Sequence, residues 1–96
     1  MKIYKRVICA DGFTISIQAN QGSYCEPRND VGPYSCVELG FPSMEETVIL
    51  RFAEEPASPT ESVYGYVPVK LVRELLERHG GPIWPIPHER VKFAEE

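Results

Sequence analysis

The sequence is poor in the residues from which disulfide and metal sites are usually built. Its 96 residues include three cysteines and two histidines. Cys9, Cys25 and Cys36 are an odd number with no close pair, so a disulfide framework is not indicated. The wide spacing also lacks the Cys-x2-Cys pairs typical of structural zinc sites. We therefore expect free thiols, no metal centre and no bound cofactor.

Long apolar runs and excess positive charge are missing as well. No stretch approaches the ~20 apolar residues that a membrane-spanning helix needs. The first ten residues alternate too much for a signal peptide. The net charge of −4 argues against a nucleic-acid binder that needs a basic face. These absences favour a cytosolic protein without direct contact to membranes or nucleic acids.

Negative charge is concentrated in residues 37–62. This block holds six acidic residues against Arg51 alone: Glu38, Glu45, Glu46, Glu54, Glu55 and Glu61. Such a block is typical of a solvated acidic surface, and it also suits a partner protein with a basic surface.

Alternating apolar and polar residues predict β-strands in the first half of the chain. Residues 13–19 alternate strictly, which indicates one buried and one solvated face. The dipeptide Asp11-Gly12 before them predicts a hairpin with a type I′ turn. A third strand is predicted over residues 34–41, with Val37, Leu39 and Phe41 on the buried face.

The second half predicts one main helix. Residues 69–79 carry an apolar stripe at helical spacing, formed by Leu71, Val72, Leu75 and Leu76. Residues 63–67 are predicted as a strand in which Gly65 suggests a bulge or close packing. Ser43 and Glu46 fit a capping box, and residues 47–53 are ambiguous between helix and strand, with a helical turn leading into a strand favoured.

Together these elements predict an α+β fold. We expect an antiparallel sheet of four to five strands with one main α-helix packed on one face. Residues 1–82 form the single domain in this interpretation. Residues 83–96 are expected to be an extended, proline-rich C-terminal tail, which packs on the domain or docks elsewhere.

Residues 20–33 stand out as the candidate site. They join two predicted strands without apolar periodicity, and loops of this length in small domains are usually functional or disordered. Cys25 is either a nucleophile near Arg28 or a buried plug that anchors the loop, and burial is favoured because no histidine is adjacent. Arg28 lies between Glu26 and Asp30, so it either braces the loop or binds an anion, and bracing is favoured.

Tyrosines accompany this loop. Tyr24 lies within it, and Tyr64 and Tyr66 are predicted on one face of a later strand. Tyrosine is enriched at binding hot spots, but its ring also covers small cores while the hydroxyl reaches water. Both interpretations are open from the sequence.

Four sequence strings together resemble a group of small uncharacterised proteins encoded by bacteriophages and prophages. They are Ala-Asp-Gly-Phe-Thr-Ile-Ser-Ile-Gln-Ala (10–19), Tyr-Cys-Glu-Pro-Arg-Asn-Asp-Val-Gly-Pro-Tyr (24–34), Val-Glu-Leu-Gly-Phe-Pro-Ser (37–43) and Val-Tyr-Gly-Tyr-Val-Pro (63–68). The likeness spans about residues 9–81. It implies an accessory factor in the host cytoplasm and, by analogy of class, an inhibitor of host defence such as an anti-CRISPR protein.

The resulting hypothesis is a non-enzymatic protein that binds and inhibits a host protein with a basic surface. The residues expected to contact that partner are Tyr24, Glu26, Arg28, Asp30, Glu45, Glu46, Tyr64 and Tyr66. One alternative is a small-molecule site or enzyme centred on Cys25, Arg28, Asp30 and His79. The other alternative is a virion or assembly component that acts through self-association.

Overall fold

The protein is an α+β fold in a computed structural model, which describes residues 1–95. Five antiparallel strands form one sheet in the order β4-β3-β2-β1-β5. The strands are β1 Val7–Cys9, β2 Thr14–Gln18, β3 Cys36–Gly40, β4 Val63–Pro68 and β5 Pro82–Trp84. The helix α1 spans Val69–Arg78, and short 3₁₀ helices cover Thr47–Phe52, Pro59–Glu61 and Pro87–Glu89. The predicted fold class is confirmed.

The β1–β2 hairpin is present, but its turn differs from the predicted type. Gly12 donates its N–H to Cys9 O at 2.9 Å, and Cys9 donates to Phe13 O at 2.8 Å. Gly12 has a φ of +96°, whereas Asp11 does not have a positive φ. A type I′ turn needs positive φ at both central residues, so that prediction was wrong. The hairpin instead uses one extra loop residue, with glycine at the single left-handed position.

The segment after β3 departs from the expected pattern. Val37 and Leu39 are fully buried as predicted, but Phe41 is 48% exposed. The backbone turns at Phe41, where φ is +51°, so the alternation of the strand no longer sets its direction. The capping box is also wrong: Ser43 accepts a hydrogen bond from the Thr14 N–H instead of capping a helix.

Residues 47–53 resolve the ambiguity left by the sequence. They form the 3₁₀ helix Thr47–Phe52, followed at Ala53 by an isolated antiparallel bridge to Tyr64. A helical turn leading into β-type pairing was the favoured interpretation, and the structure shows this. Ile49 points into the core from the 3₁₀ helix and is completely buried.

A bulge in β4 separates the two tyrosines that were expected on one face. The β3–β4 register pairs Leu39 with Tyr64 but Val37 with Val67, so β4 carries one extra residue. Tyr64 is completely buried, whereas Tyr66, with a φ of +52°, is 42% exposed. The predicted common face was therefore wrong, and the bulge that Gly65 suggested is the reason.

The helix α1 covers one face of the sheet and closes the core. Its buried residues are Val69, Val72, Leu75 and Leu76, and they meet the inward side chains of β1–β4 in one cluster. At the C-terminus, Gly80 and Gly81 have φ values of +87° and +86°, and their N–H groups donate to Glu77 O and Leu76 O. The predicted stop at the glycine pair is confirmed.

Residues 83–95 of the expected 83–96 segment pack on the domain; Glu96 lies outside the described residues. The strand β5 pairs with β1 through Ile8 and Trp84. Further along, Phe93 forms a parallel bridge with Tyr34, whose carbonyl accepts a 2.7 Å bond from Ala94 N–H. The segment thus pairs first with β1 and then with Tyr34, which precedes β3.

Both outer strands of the sheet have neighbouring chain along part of their length. At β4, Tyr66 donates its N–H to Tyr24 O at 3.0 Å, and Glu54 donates to Val63 O at 2.9 Å. The other outer strand, β5, is three residues long and contains Pro82, whose carbonyl accepts a bond from Arg90.

Candidate functional site

The loop 20–33 begins on a buried asparagine that organises its first turn. Asn20 is 2% exposed, and its Oδ1 accepts hydrogen bonds from the Gly22 N–H and the Ser23 hydroxyl. Its Nδ2 donates to Lys2 O at 3.0 Å, which ties the loop to the N-terminal segment. This is local side-chain capping of a turn, so the first part of the loop has a defined shape.

The second part of the loop is held by two further residues, Asn29 and Asp30. Asp30 Oδ1 accepts from the Gln21 N–H at 2.9 Å and joins the two ends of the loop. Asn29 Oδ1 accepts from the Val31 and Gly32 N–H groups, and Asn29 O accepts from the buried Tyr34 hydroxyl at 2.8 Å. Residues 26–31 are all exposed, so the loop is both internally bonded and turned outward.

Cys25 attaches this loop to the core. It is completely buried, and its Sγ lies 3.3 Å from Asn20 O. Burial raises the pKa of the Cys25 thiol, which favours the neutral form that is a poor nucleophile. Among the described residues, the contacts of His79 involve Asp11, Phe13 and Glu46 rather than Cys25. The arrangement matches the buried-plug interpretation of Cys25.

Arg28 does not brace the loop as expected. Among residues 1–95, no ion pair joins it to Glu26 or Asp30. Its guanidinium carbon instead lies 5.6 Å from the centre of the Tyr24 ring, in cation–π range. Asp30 supplies the bracing through the backbone bond described above.

Tyr24, Tyr66 and Arg28 form an exposed cluster. The two tyrosine rings lie 5.8 Å apart with an interplanar angle of 39°, and each tyrosine is 42% exposed. Gly65 allows this contact: a Cβ at that position would lie 3.3 Å from Tyr24 Cβ. The backbone bond from Tyr66 N–H to Tyr24 O fixes the loop against β4. The fold therefore brings two of the three predicted aromatic anchors together.

An acidic loop lies along the same strand. Ala53 bridges Tyr64, and Glu54 donates to Val63 O, so residues 53–62 start beside the first half of β4. The side chains of Glu54, Glu55 and Glu61 in this loop are exposed. We call the combined surface the β4-edge surface; it comprises Tyr24, Glu26, Arg28, Glu54, Glu55, Glu61 and Tyr66.

Two of the predicted contact residues are buried, which corrects the prediction. Tyr64 is completely buried, and its hydroxyl donates to Pro59 O at 2.6 Å. Glu46 is 9% exposed and hydrogen-bonds the His79 ring. Neither side chain is available to a partner in this conformation. Glu45, the neighbour of Glu46 in sequence, is exposed as expected.

His79 forms a second polar cluster that the sequence did not indicate. It follows α1 directly, is 8% exposed and stacks on Phe13, with ring centres 3.9 Å apart and planes 8° apart. Its Nδ1 contacts Asp11 Oδ2 at 2.6 Å and its Nε2 contacts Glu46 Oε1. The imidazole thus joins the hairpin turn, the segment before the 3₁₀ helix and the end of α1.

The charges in this cluster favour a protonated imidazole. Burial by itself lowers the pKa of His79, but the hydrogen bonds to Glu46 and Asp11 outweigh it, so the net direction is upward. The Phe13 N–H and the His79 ring both lower the pKa of Asp11. Both ring nitrogens are occupied by carboxylates, so the cluster acts as an ionic tie between three segments.

A cleft of about 340 Å³ lies between the sheet, α1 and residues 82–93. Its apolar wall includes Val7 and Ile17 from the sheet and Leu76 from the helix. Cationic side chains from three separate segments reach the same cleft: Lys5, Arg73 and Arg90. The sequence did not predict this site, because the lining comes from five stretches that only the fold brings together.

Within residues 1–95, no group of three or more His, Cys, Asp or Glu side chains has the arrangement to hold a metal ion. None of the helices in that range has both the length and the apolar character needed to cross a membrane. Comparison of the chain with models of protein families, with curated proteins and with solved structures finds no match.

Proposed function

We propose that the protein is a non-catalytic binding factor that inhibits a host protein through the β4-edge surface. The observation that carries this proposal is the exposed Tyr24–Tyr66 pair with Arg28 over one ring. Tyr66 lies on β4, and Tyr24 and Arg28 lie on a loop fixed by internal hydrogen bonds. Tyrosine and arginine are enriched among residues that dominate binding energies. A preordered loop also loses less conformational entropy on binding than a flexible one.

The partner is proposed to present a basic surface. Glu54, Glu55 and Glu61 lie in the exposed loop beside β4, and Glu26 is exposed on the loop that carries Tyr24. Acidic residues around an aromatic centre would attract lysine and arginine side chains at the rim of an interface. Glu46 and Tyr64 are left out of this surface because both are buried.

The biological setting is part of the proposal. The resemblance of the four sequence strings to bacteriophage and prophage proteins supports a phage-encoded factor acting in the host cytoplasm. Inhibition of a host defence protein, as by anti-CRISPR proteins, is the form of activity that we propose, by analogy of class. The burial of Cys25, which was the candidate nucleophile, supports action by binding rather than by catalysis.

The aromatic centre is tested by replacing each tyrosine and measuring capture of host proteins. Immobilised wild-type protein, Tyr24→Ala and Tyr66→Ala are compared with Trp84→Ala, an equally exposed aromatic residue on the opposite outer strand. We expect a specific host protein to bind wild type and Trp84→Ala alike. Each tyrosine variant should bind it at least about tenfold more weakly, since hot-spot truncation costs about 2 kcal/mol or more.

The acidic rim is tested by reversal of one charge. Glu55→Lys should weaken capture and lower the association rate, whereas Glu74→Lys, an exposed reversal on α1, should leave both nearly unchanged. Increasing salt should weaken wild-type binding because the rim charges are exposed. Failure to recover any partner that depends on Tyr24 or Tyr66 would contradict the proposed function.

A further inference from the structure

The cleft between the sheet, α1 and residues 82–93 has the size of a small-ligand site. Its volume of about 340 Å³ lies near the lower end of the range of ~300–1,000 Å³ for such sites. The wall is mainly apolar, with Val7, Ile17, Leu76, Val91 and Phe93 from four different parts of the chain. A mostly apolar wall with few polar groups is the usual composition of a site for a small organic molecule.

The charged groups of the cleft are predominantly cationic. Among residues 1–95, its lining includes Lys5, Arg73 and Arg90 together with one acid, Glu77. Arg73 packs its guanidinium on the Phe93 ring at 5.4 Å and donates to Ala94 O at 2.9 Å. Even without Arg73, Lys5 and Arg90 outnumber Glu77, so the described lining combines an apolar wall with an excess of positive charge, which complements a ligand that is apolar and anionic.

Arg90 gives the most specific indication of the ligand. Its Nη2 donates to Pro82 O at 3.3 Å, which positions the guanidinium at the cleft. Its Nε is buried without a hydrogen-bond partner in the described part of the chain. This atom is covered by protein, so a ligand in the cleft would meet the other part of the Arg90 side chain, and a guanidinium suits the two oxygens of a carboxylate.

We propose that this cleft binds a small amphipathic carboxylate, with its apolar body against Ile17, Leu76 and Phe93 and its carboxylate on Arg90. This site is independent of the proposed partner surface. The cleft adjoins β1 and β5, whereas the β4-edge surface lies along the outer strand at the other end of the sheet.

The test uses octanoate as the probe and follows the backbone amides of the full chain by NMR. Two controls carry the same alkyl chain: octan-1-ol is uncharged, and octylammonium has the opposite charge. Octanoate should shift amides in residues 73–77 and 90–93. Octan-1-ol should bind at least about tenfold more weakly because it cannot form the charge-assisted pair, and octylammonium should bind more weakly still.

Substitutions assign the carboxylate position. Arg90→Gln should weaken octanoate binding about tenfold or more, since it removes the charged fork. Arg51→Gln removes one exposed charge outside the cleft and should change binding less than about twofold, because such a charge is screened by solvent and salt. Glu77→Gln should strengthen binding, because it removes the one acid among the described residues that line the cleft.

A second cationic variant keeps the test decisive if Arg90→Gln does not fold. Lys5 is exposed, so Lys5→Gln should fold normally and weaken octanoate binding while leaving octan-1-ol binding unchanged. The proposal is overturned if octanoate causes no shifts, if its shifts lie outside the cleft, or if octan-1-ol binds equally well. If the protein fails to capture a host protein, that result counts against the β4-edge surface and not against the cleft.

Discussion

Replacing Glu46 by glutamine offers the most informative test of the structure, because it removes one charge while keeping the side-chain size. Glu46 contacts His79 Nε2, and the two side chains are only 11% and 10% exposed. A matched control is Glu45→Gln, which removes the same charge from the adjacent, exposed position. A difference between the two variants therefore reports on the buried contact rather than on net charge.

The expected loss follows from the types of hydrogen bond involved. A hydrogen bond to a charged group contributes about 1.5–3 kcal/mol, against about 0.5–1.5 kcal/mol for a neutral bond. The side-chain amide introduced by Glu46→Gln would retain a neutral acceptor for the ring, so the free energy of unfolding should fall by about 1–2 kcal/mol. Asp11 still contacts Nδ1 at 2.6 Å, which limits the loss. Glu45→Gln should change stability by less than about 0.5 kcal/mol, as surface substitutions usually do.

The loss should depend on pH in a defined direction. The pKa of His79 is raised above its ordinary value of 6.5, so the contribution of this histidine is complete below pH 6.5. It is lost as the pH rises through the folded-state pKa. The pKa of Asp11 is lowered from 3.8, so its contribution is present above that value and is lost as the pH falls through the lowered pKa. The cost of Glu46→Gln should therefore be large near pH 6.5, where the His79 contribution is complete, and should decrease as the pH rises through the folded-state pKa of His79.

Urea unfolding of wild type and both variants across this pH range measures the effect. NMR titration of the His79 ring gives its pKa directly, and that pKa should be lower in Glu46→Gln than in wild type because one carboxylate partner is gone. The reasoning is refuted if both glutamine variants lose the same stability, or if the loss from Glu46→Gln is independent of pH.

Three further predictions concern the core, the helix end and the thiols. Leu75→Ala should lower the free energy of unfolding by about 2–5 kcal/mol in urea titrations, since Leu75 is completely buried, and a smaller loss would contradict its close packing in the core. Gly81→Ala should cost about 1–2 kcal/mol because of its positive φ. Gly80→Ala should cost more than Gly81→Ala, because its Cβ would also lie 2.8 Å from a side-chain carbon of the β1–β2 turn; equal costs would refute this contact. In the folded protein, iodoacetamide should modify the partly exposed Cys36 before the buried Cys25, as mass spectrometry of the labelled peptides can show, and prior labelling of Cys25 would contradict its burial.

Local patterns predicted the elements whose residues interact mainly with near neighbours in sequence. The alternation of residues 13–19 and the apolar stripe of residues 69–79 correspond to β2 and α1. The composition of residues 20–33 also indicated a long loop at this place in the chain. In each of these cases, periodicity or turn chemistry acts over a few residues and needs no knowledge of the tertiary structure.

Long-range contacts explain what the sequence did not reveal. The sequence suggests that Glu46 is a surface acid because its partner, His79, is 33 residues away. Tyr64 and Tyr66 are predicted on one face because the sequence does not show the bulge at which the strand period fails. Arg90 belongs to a cleft whose other walls come from β1, β2 and α1, so its role depends on the whole topology.

The bonds already formed along the outer strands β4 and β5 affect how this molecule can bind other molecules. An incoming strand at β4 would have to displace the Tyr24 carbonyl and the Glu54 amide from the bonds they already form. At β5, Pro82 has no N–H to offer to a further strand. Growth into fibres or layers by backbone pairing is thereby opposed at both ends. Recognition of another molecule would then depend on side-chain shape and charge, which single substitutions can dissect without dismantling the fold.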